Sequence, residues 1–475
     1  MEANAVALGV SVDSLMENAG RALAEECARR LPPAPQRVVV LAGPGNNGGD
    51  GTCAAHYLAQ WGFHPEVWMV RPPAEIRTPA ARRCYDRAAA ELRVRVGVPT
   101  SSHLEGAAVI LDALLGSGQS GELRPPYREA VDVANASGVP ILAVDVPTGL
   151  GGTNPVRPRW TVALTVAKEG MGPESSGEVI VREIGIPREA REETGPGEFL
   201  LFPGHPPPDP RGRNARVLVI GGGPYSGAPA LAALAALRAG AERATVLAPS
   251  GAADAIRGFS PDLIVETVGT DRFGPGEVPV LQRAVARPRI DAILLGMGAG
   301  DAPETRTALE AVLSAVPVGR PVLVDADGLR ALGAPTGHPR PWVVTPNAGE
   351  YEREFGGAAS DGVPEVSERA RRHGVTFLVK GAVDVISDGT ESFLNRRHHP
   401  AATVGGVGDV LSGAVGGLLA QGLRPVDAAR LGAYWVGDAG ARAAEAGGFG
   451  ILATDVLHRL PEALVEGTRR VRALR

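Results

Sequence analysis

Residues 37–52 read RVVVLAGPGNNGGDGT. Five consecutive apolar residues, VVVLA at 38–42, run straight into a polar turn dense in glycine. An apolar run without alternation suits a strand covered on both faces, as in a parallel sheet. Glycine lets backbone approach a ligand closely, and the start of a following helix offers free N–H groups and partial positive charge. That combination suits phosphate. GPGNNG (43–48) has GxGxxG spacing, but the stretch is not read as the ordinary dinucleotide fingerprint. A tight strand-to-helix turn would account for the glycines alone. It would not need Asn46, Asn47 and Asp50 together.

The same grammar repeats outward. Apolar runs at 65–70, 108–114, 140–146 and 162–167 alternate with helical patterns, and EVIVREIGI (178–186) adds a further strand. Such alternation predicts an α/β domain with a parallel sheet between two helical layers. FPGHPPPDPRGRNA (202–215), with five prolines, is a linker in composition. Beyond it the alternation restarts at RVLVIGG (216–222). It continues through RATVLAP, DLIVETVG, DAILLGMG, PVLVDADGL, WVVTPN and TFLVKG. VDVISDG and ESFLNR read as an antiparallel pair. The expected organisation is two three-layer αβα domains, 1–204 and 205–475.

Composition narrows the function. The 475 residues carry a net charge of −5, all of it within the first 204 residues, so neither half offers a basic field for nucleic acid. Three cysteines without a CxxC spacing fit a reducing cytoplasm and argue against a disulfide scaffold or a zinc site. The N-terminus has no signal-peptide pattern. The charge-free run Val217–Leu237 contains GGGPYSGAP and reads as strand, loop and helix, not a membrane span. Of 48 Lys and Arg residues only Lys168 and Lys380 are lysine.

Polar residues close further strands of the first half. Asp112 ends VILD, Asp145 lies in AVDVPTG, and Thr148 stands three residues on. Asn47, Asp112 and Thr148 supply hard oxygen ligands at one sheet edge, where open parallel sheets bind ligands. Singly, each also reads as a cap or loop anchor. Together MENAG (16–20), GPGNNGGDG (43–51), LDALLGSGQSGE (111–122) and VDVPTG (144–149) resemble the NAD(P)H-hydrate epimerase family, with a Rossmann-like fold, over about residues 5–200. The resemblance implies potassium at Asn47, Asp112 and Thr148, with Thr where the family usually has Ser. It implies that Asn46, Asn47, Gly48, Gly49 and Asp50 contact the hydrate. Gly116, Ser117, Gly118, Gln119, Ser120, Gly121, Glu122 and Asp145 are implied beside them. Asp145 is the expected acid/base, since a carboxylate must move a proton or assist ring opening. Lys168, in VAKEG, reads either as a chance surface lysine or as facing substrate phosphates or the acidic loop.

In the second half, GGGPYSGAP (221–229) leads into a nearly all-apolar helix that should be buried. LGMGAG (295–300), DADGL (325–329), TPNAGE (345–350) and LVKG (378–381) each follow a strand. GGVGDVLSG (405–413) sets Asp409 at a helix start, where amides cradle a phosphoryl group and a carboxylate takes a hydroxyl proton. A plain N-cap is the simpler reading of Asp409 alone. The set resembles the ribokinase-like superfamily and, within it, ADP-dependent NAD(P)H-hydrate dehydratase over about residues 205–465. The resemblance implies Ala228, Gly298 and Asp409 at the hydrate. It implies Lys380, Gly381, Ala382, Val383, Asp384 and Gly408 at the adenine nucleotide. Asn347 stands where the family has His; it can hydrogen-bond substrate but cannot titrate near neutrality.

The implied activity is repair of hydrated nicotinamide cofactor: epimerisation of the R and S hydrates, then ADP-dependent dehydration of the S form to NAD(P)H, AMP and phosphate. ADP is the co-substrate, and magnesium would neutralise its phosphates. Two alternatives stand: an ATP-dependent kinase of a small hydroxylated vitamin precursor, and a non-catalytic nucleotide-binding scaffold. Partners are NAD(P)H hydrate and the nucleotide, with no nucleic acid, no membrane and a homo-oligomeric state expected.

Overall fold

The computed structural model describes residues 1–118, 121–204, 215–335, 337–358 and 362–474. Val38–Ala42 is buried throughout, as its unbroken apolar run requires. It belongs to β1 (Arg37–Ala42), the centre of the first unit. Val39 and Leu41 pack with Ala130 and Val131 of the helix Tyr127–Ala136. Val40, with the opposite parity, meets the helix Asn46–Gln60 at Gly51. One strand thus serves two helical layers.

The other strands of this unit are β2 (His64–Met69), β3 (Arg93–Val96), β4 (Val109–Ala113), β5 (Ile141–Val144), β6 (Trp160–Leu164) and β7 (Glu178–Arg182). Their order is β3-β2-β1-β4-β5-β6-β7, and every pairing is parallel. The winding reverses between β1 and β4, the crevice where doubly wound sheets take ligands.

The second unit holds β8 (Arg216–Ile220), β9 (Arg243–Ala248), β10 (Ile264–Thr267), β11 (Ala292–Leu295), β12 (Val322–Val324), β13 (Trp342–Val344) and β14 (Thr376–Val379). It is completed by β15 (Asp384–Ser387) and β16 (Ser392–Asn395). The order is β10-β9-β8-β11-β12-β13-β14-β15-β16, with only β14–β15–β16 antiparallel. The reversal falls between β8 and β11. The apolar helix Gly227–Arg238 is buried as expected. It lies against the helix Val407–Ala420 so closely that a Cβ at Gly413 would stand 2.1 Å from the Ala232 carbonyl oxygen.

Two readings shift. The helix after β1 begins at Asn46, so NNGGDG is its first turns and not a loop before it. The compact units divide between Arg188 and Glu189, not at 204/205. Phe199 sits edge-on to Tyr434 at 5.7 Å, and buried Glu198 pairs with Arg430 at 2.8 Å, so this segment belongs to the second unit. The proline-rich 205–214 lies outside the described residues. Among the described residues no helix is long and apolar enough to cross a membrane.

Candidate active sites

Four neighbouring strand ends build the first site. Asp112, on β4, is 1% exposed. Its carboxylate accepts the Thr148 amide at 2.9 Å, the Thr148 hydroxyl at 2.7 Å and the Leu114 amide at 3.3 Å. Burial nonetheless pushes it up to about 6 against those bonds. Asn47 Nδ2 donates to the Leu115 carbonyl at 3.1 Å, and Thr148 Oγ1 accepts the Leu115 amide at 3.1 Å. Asn47 and Thr148 thus meet at Leu115 while Asp112 holds Thr148 and Leu114, and Asn47 Oδ1 has no partner among the described residues. The donors are all oxygen, with one carboxylate, a set that suits a hard cation of low charge.

Asp145 follows β5 with φ +62, a left-handed conformation for a residue with a side chain. Its Oδ1 accepts the Leu164 amide at 3.1 Å and the Lys168 ammonium. Oδ2 has no partner among the described residues. Burial holds the Asp50 carboxyl well above its ordinary range; Glu2, Asp145 and Cys84 add to this and Lys168 opposes it. Asn46 accepts the Thr78 hydroxyl at 2.6 Å. Gly116 lies over Asn47, and exposed Glu122 is held by Thr153 at 2.6 Å. Ser117, Gly118 and Gly121 are in the same exposed loop, while Gln119 and Ser120 lie outside the described residues.

The glycines have a different reason from the one expected. A Cβ at Gly48 would stand 1.9 Å from the Gly43 carbonyl oxygen, and one at Gly49 would stand 2.8 Å from both Met16 and Ala81. The protein's own backbone and side chains fill those spaces. Gly45 differs: it is exposed at the N-cap, with nothing near its Cβ position.

In the second unit the strand ends again converge. Gly298, at φ +65, would bring a Cβ within 3.4 Å of Ala228 and 2.7 Å of the Tyr225 carbonyl, so the loops after β8 and β11 touch. Lys380, after β14, reaches Asp325 Oδ1 at 2.9 Å, and its Nζ lies 3.4 Å from a Cβ position on Gly408. Burial works against the Lys380 charge, but Asp325, Glu350 and Asp409 outweigh it and raise its pKa. Asp409, in the first turn of Val407–Ala420, is pushed up to about 7 by burial, by Asp325 and by Glu350, with Lys380 opposing. These four charged groups share one field.

Two expected ligand contacts have other duties. Asp384 accepts the Gly381 amide at 3.0 Å, Asn395 at 2.9 Å and His398 at 3.1 Å. Its carboxylate braces the Lys380–Asp384 turn. Ala382 and Val383 form the outside of that turn. Asn347 caps the helix Ala348–Phe355, accepting the Glu350 amide at 2.9 Å while Glu350 accepts the Asn347 amide at 2.8 Å. Asp325 went unassigned in the sequence; an aspartate just past a strand carries no mark that separates it from a cap.

Residues 12–170 match the family described as YjeF-related protein N-terminus, and 217–462 match NAD(P)H-hydrate dehydratase. The bifunctional NAD(P)H-hydrate repair enzyme of Hyperthermus butylicus is 40% identical over 507 residues, spanning 100% of this chain and 93% of that protein. Its counterpart in Methanothermobacter thermautotrophicus is 38% identical, spanning 98% and 93%. A solved ribokinase-like superfamily protein from Enterococcus faecalis V583 has a TM-score of 0.52 and 21% identity over 58% of this chain and 96% of its own.

Proposed function

The chain belongs to the family of bifunctional NAD(P)H-hydrate repair enzymes, and from that premise we propose how its two sites divide the work. The enzyme repairs damaged nicotinamide cofactor: it interconverts the R and S hydrates of NAD(P)H and dehydrates the S form, with ADP going to AMP and phosphate. The observation that carries the reading is similarity over the whole chain, with a charged cluster at the strand ends of each unit.

The first unit is the epimerase. Asp145 Oδ2 takes the proton of the C6 hydroxyl; the O–H pair becomes the C6=O bond, and the C6–N1 pair stays on N1. Closure on the other face returns the proton to oxygen. Burial favours the neutral form of Asp50, the form that can donate a hydrogen bond to the hydrate. The first-turn amides of Asn46–Gln60 suit the cofactor's phosphates. Asn47, Asp112 and Thr148 would hold potassium, which supplies a fixed positive charge beside that anion.

The second unit is the dehydratase. Asp409, with its pKa near neutrality, takes the C6 hydroxyl proton. The oxygen attacks the terminal phosphorus of ADP, and the bond to the AMP oxygen breaks. The C6 phosphate then leaves with its bonding pair while C5 gives up a proton to that departing phosphate, forming the C5=C6 bond of NAD(P)H. The amides around Gly408 face the transferring group and Lys380 supplies positive charge. Magnesium on the nucleotide would offset the phosphate charge. Ala228, Gly298 and Asn347 line the hydrate side.

We read the protein as cytoplasmic, supported by three free cysteines. The homo-oligomeric state is decided by sedimentation. The test of function is recovery of NADH absorbance from mixed hydrates. Full recovery with ADP supports both activities. Recovery of the S fraction alone removes the epimerase, and a persisting phosphorylated product removes the dehydratase.

A further inference from the structure

The DADGL turn (325–329) has no part in the chemistry above, yet it touches both halves of the second site. Asp325 is 2% exposed. Its Oδ1 accepts Lys380 Nζ at 2.9 Å, and its Oδ2 accepts the Ser412 hydroxyl at 2.7 Å. Ser412 lies one turn beyond Asp409 on the same helix. The two oxygens of one carboxylate therefore fix the ammonium and the helix that flank Asp409.

Two residues on, Asp327 Oδ2 accepts the Gly300 amide at 2.8 Å. Gly300 closes the loop that sets Gly298 against Ala228. Between the aspartates Ala326 holds φ +51, a conformation costly for a residue with a side chain. The turn is seated backbone on backbone: a Cβ at Gly296 would stand 2.3 Å from both the Asp325 carbonyl oxygen and the Gly328 nitrogen. Such a seat cannot slide without moving both aspartates.

We propose that this turn is a divided positioning device, in which Asp325 sets Lys380 and the Asp409 helix for the chemical step and Asp327 sets the Gly298–Gly300 loop for holding the hydrate. The inference rests on the dehydratase reading of the second unit. Asp325 and Asp327 are positioning residues, since each acts through another group.

Steady-state kinetics of the full chain with S hydrate and saturating ADP test it. Asp325→Asn lowers kcat by about 100-fold, the cost of a misplaced reacting group, with KM for the hydrate nearly unchanged. Asp327→Asn raises that KM by about tenfold with kcat nearly unchanged. Ser412→Ala, which spares the Lys380 pair, lowers kcat by about tenfold without moving KM. Circular dichroism and the thermal unfolding transitions of the same preparations report that the second unit is folded, and if Asp325→Asn does not fold, Ser412→Ala carries the kcat arm. Parallel changes in kcat and KM for Asp325→Asn and Asp327→Asn, or an unaltered Ser412→Ala, overturn the division. A parent chain with no ADP-dependent turnover of the hydrate overturns the dehydratase reading instead, and the inference with it.

Discussion

The Lys168 ammonium bridges two adjacent strand ends, donating to Asp145 Oδ1 and to the Leu164 carbonyl at 2.8 Å. Lys380 likewise donates to Asp325 in the second unit, at 2.9 Å. Each lysine thus pairs with an aspartate one residue past a parallel strand. In a chain that otherwise uses arginine, the Lys168 site asks for a compact donor. A guanidinium is a rigid planar fork and cannot put one nitrogen between those two acceptors without shifting them.

Lys168→Arg is therefore expected to lower kcat for R/S exchange by about 10–100-fold through misplacement of Asp145. Dehydration of pure S hydrate by the same chain should be unchanged. Chromatographic separation of the epimers over time measures the first, and NADH absorbance the second. Exchange at the parent rate would mean that charge alone suffices there.

The dehydratase should lose activity on the acid side of neutrality. Asp409 must be ionised to accept a proton, and its pKa is raised to about 7. Below that value kcat/KM should fall by about tenfold per pH unit, and above it the profile should level. Stability runs the other way. A raised folded pKa favours the neutral carboxyl, so this contribution is full below the ordinary value of 3.8 and is lost as pH rises through about 7. A pH–rate profile flat from about 5 to 8 would remove Asp409 as the base.

Potassium should stabilise the first unit in a pH-dependent way. Asp112 is raised to about 6 by burial, so the ionised carboxylate that a cation needs is populated above that value. Potassium chloride should raise the melting temperature relative to choline chloride well above pH 6, and lose that effect below it. Asp112→Asn should abolish the difference. An equal shift in that variant would place the cation elsewhere.

Both sheets were legible because their central strands are unbroken apolar runs; β3 was not. Its sequence RVRV alternates Arg and Val at a sheet edge, and Arg95 is held by Glu66 of β2 at 2.6 Å rather than by apolar burial. Glycine obscured the start of the helix at Asn46, because close packing there overrides poor helix propensity. Asn47, Asp112 and Thr148 were legible as oxygen donors at one edge. Asp325 and Asp327 were not, because their meaning lies in partners 55 and 27 residues away. The unit boundary was misplaced because proline content marks a linker, whereas Phe199 decides the packing. Its ring fills the space a side chain at Gly467 would need, 2.2 Å from that Cβ position.

Gly413 and Gly258 should respond to alanine with opposite signs. Both are helical glycines of the second unit. Gly258, in Ser250–Phe259, is exposed with nothing near its Cβ position, so Gly258→Ala should gain about 0.5–1 kcal/mol from restricted unfolded-chain freedom. At Gly413 the same gain is available, but the new Cβ meets the Ala232 carbonyl oxygen at 2.1 Å and Ala235 at 2.7 Å. Those atoms are helix backbone and a methyl group, which cannot rotate away. The helices must part, at a cost of about 1–3 kcal/mol for overpacking, so Gly413→Ala should be net destabilising in urea or thermal denaturation. Asp409 begins the helix that moves, so dehydratase kcat should fall while R/S exchange stays intact. A Gly413→Ala variant as stable as Gly258→Ala would mean that the close approach of the two helices is not required by the fold.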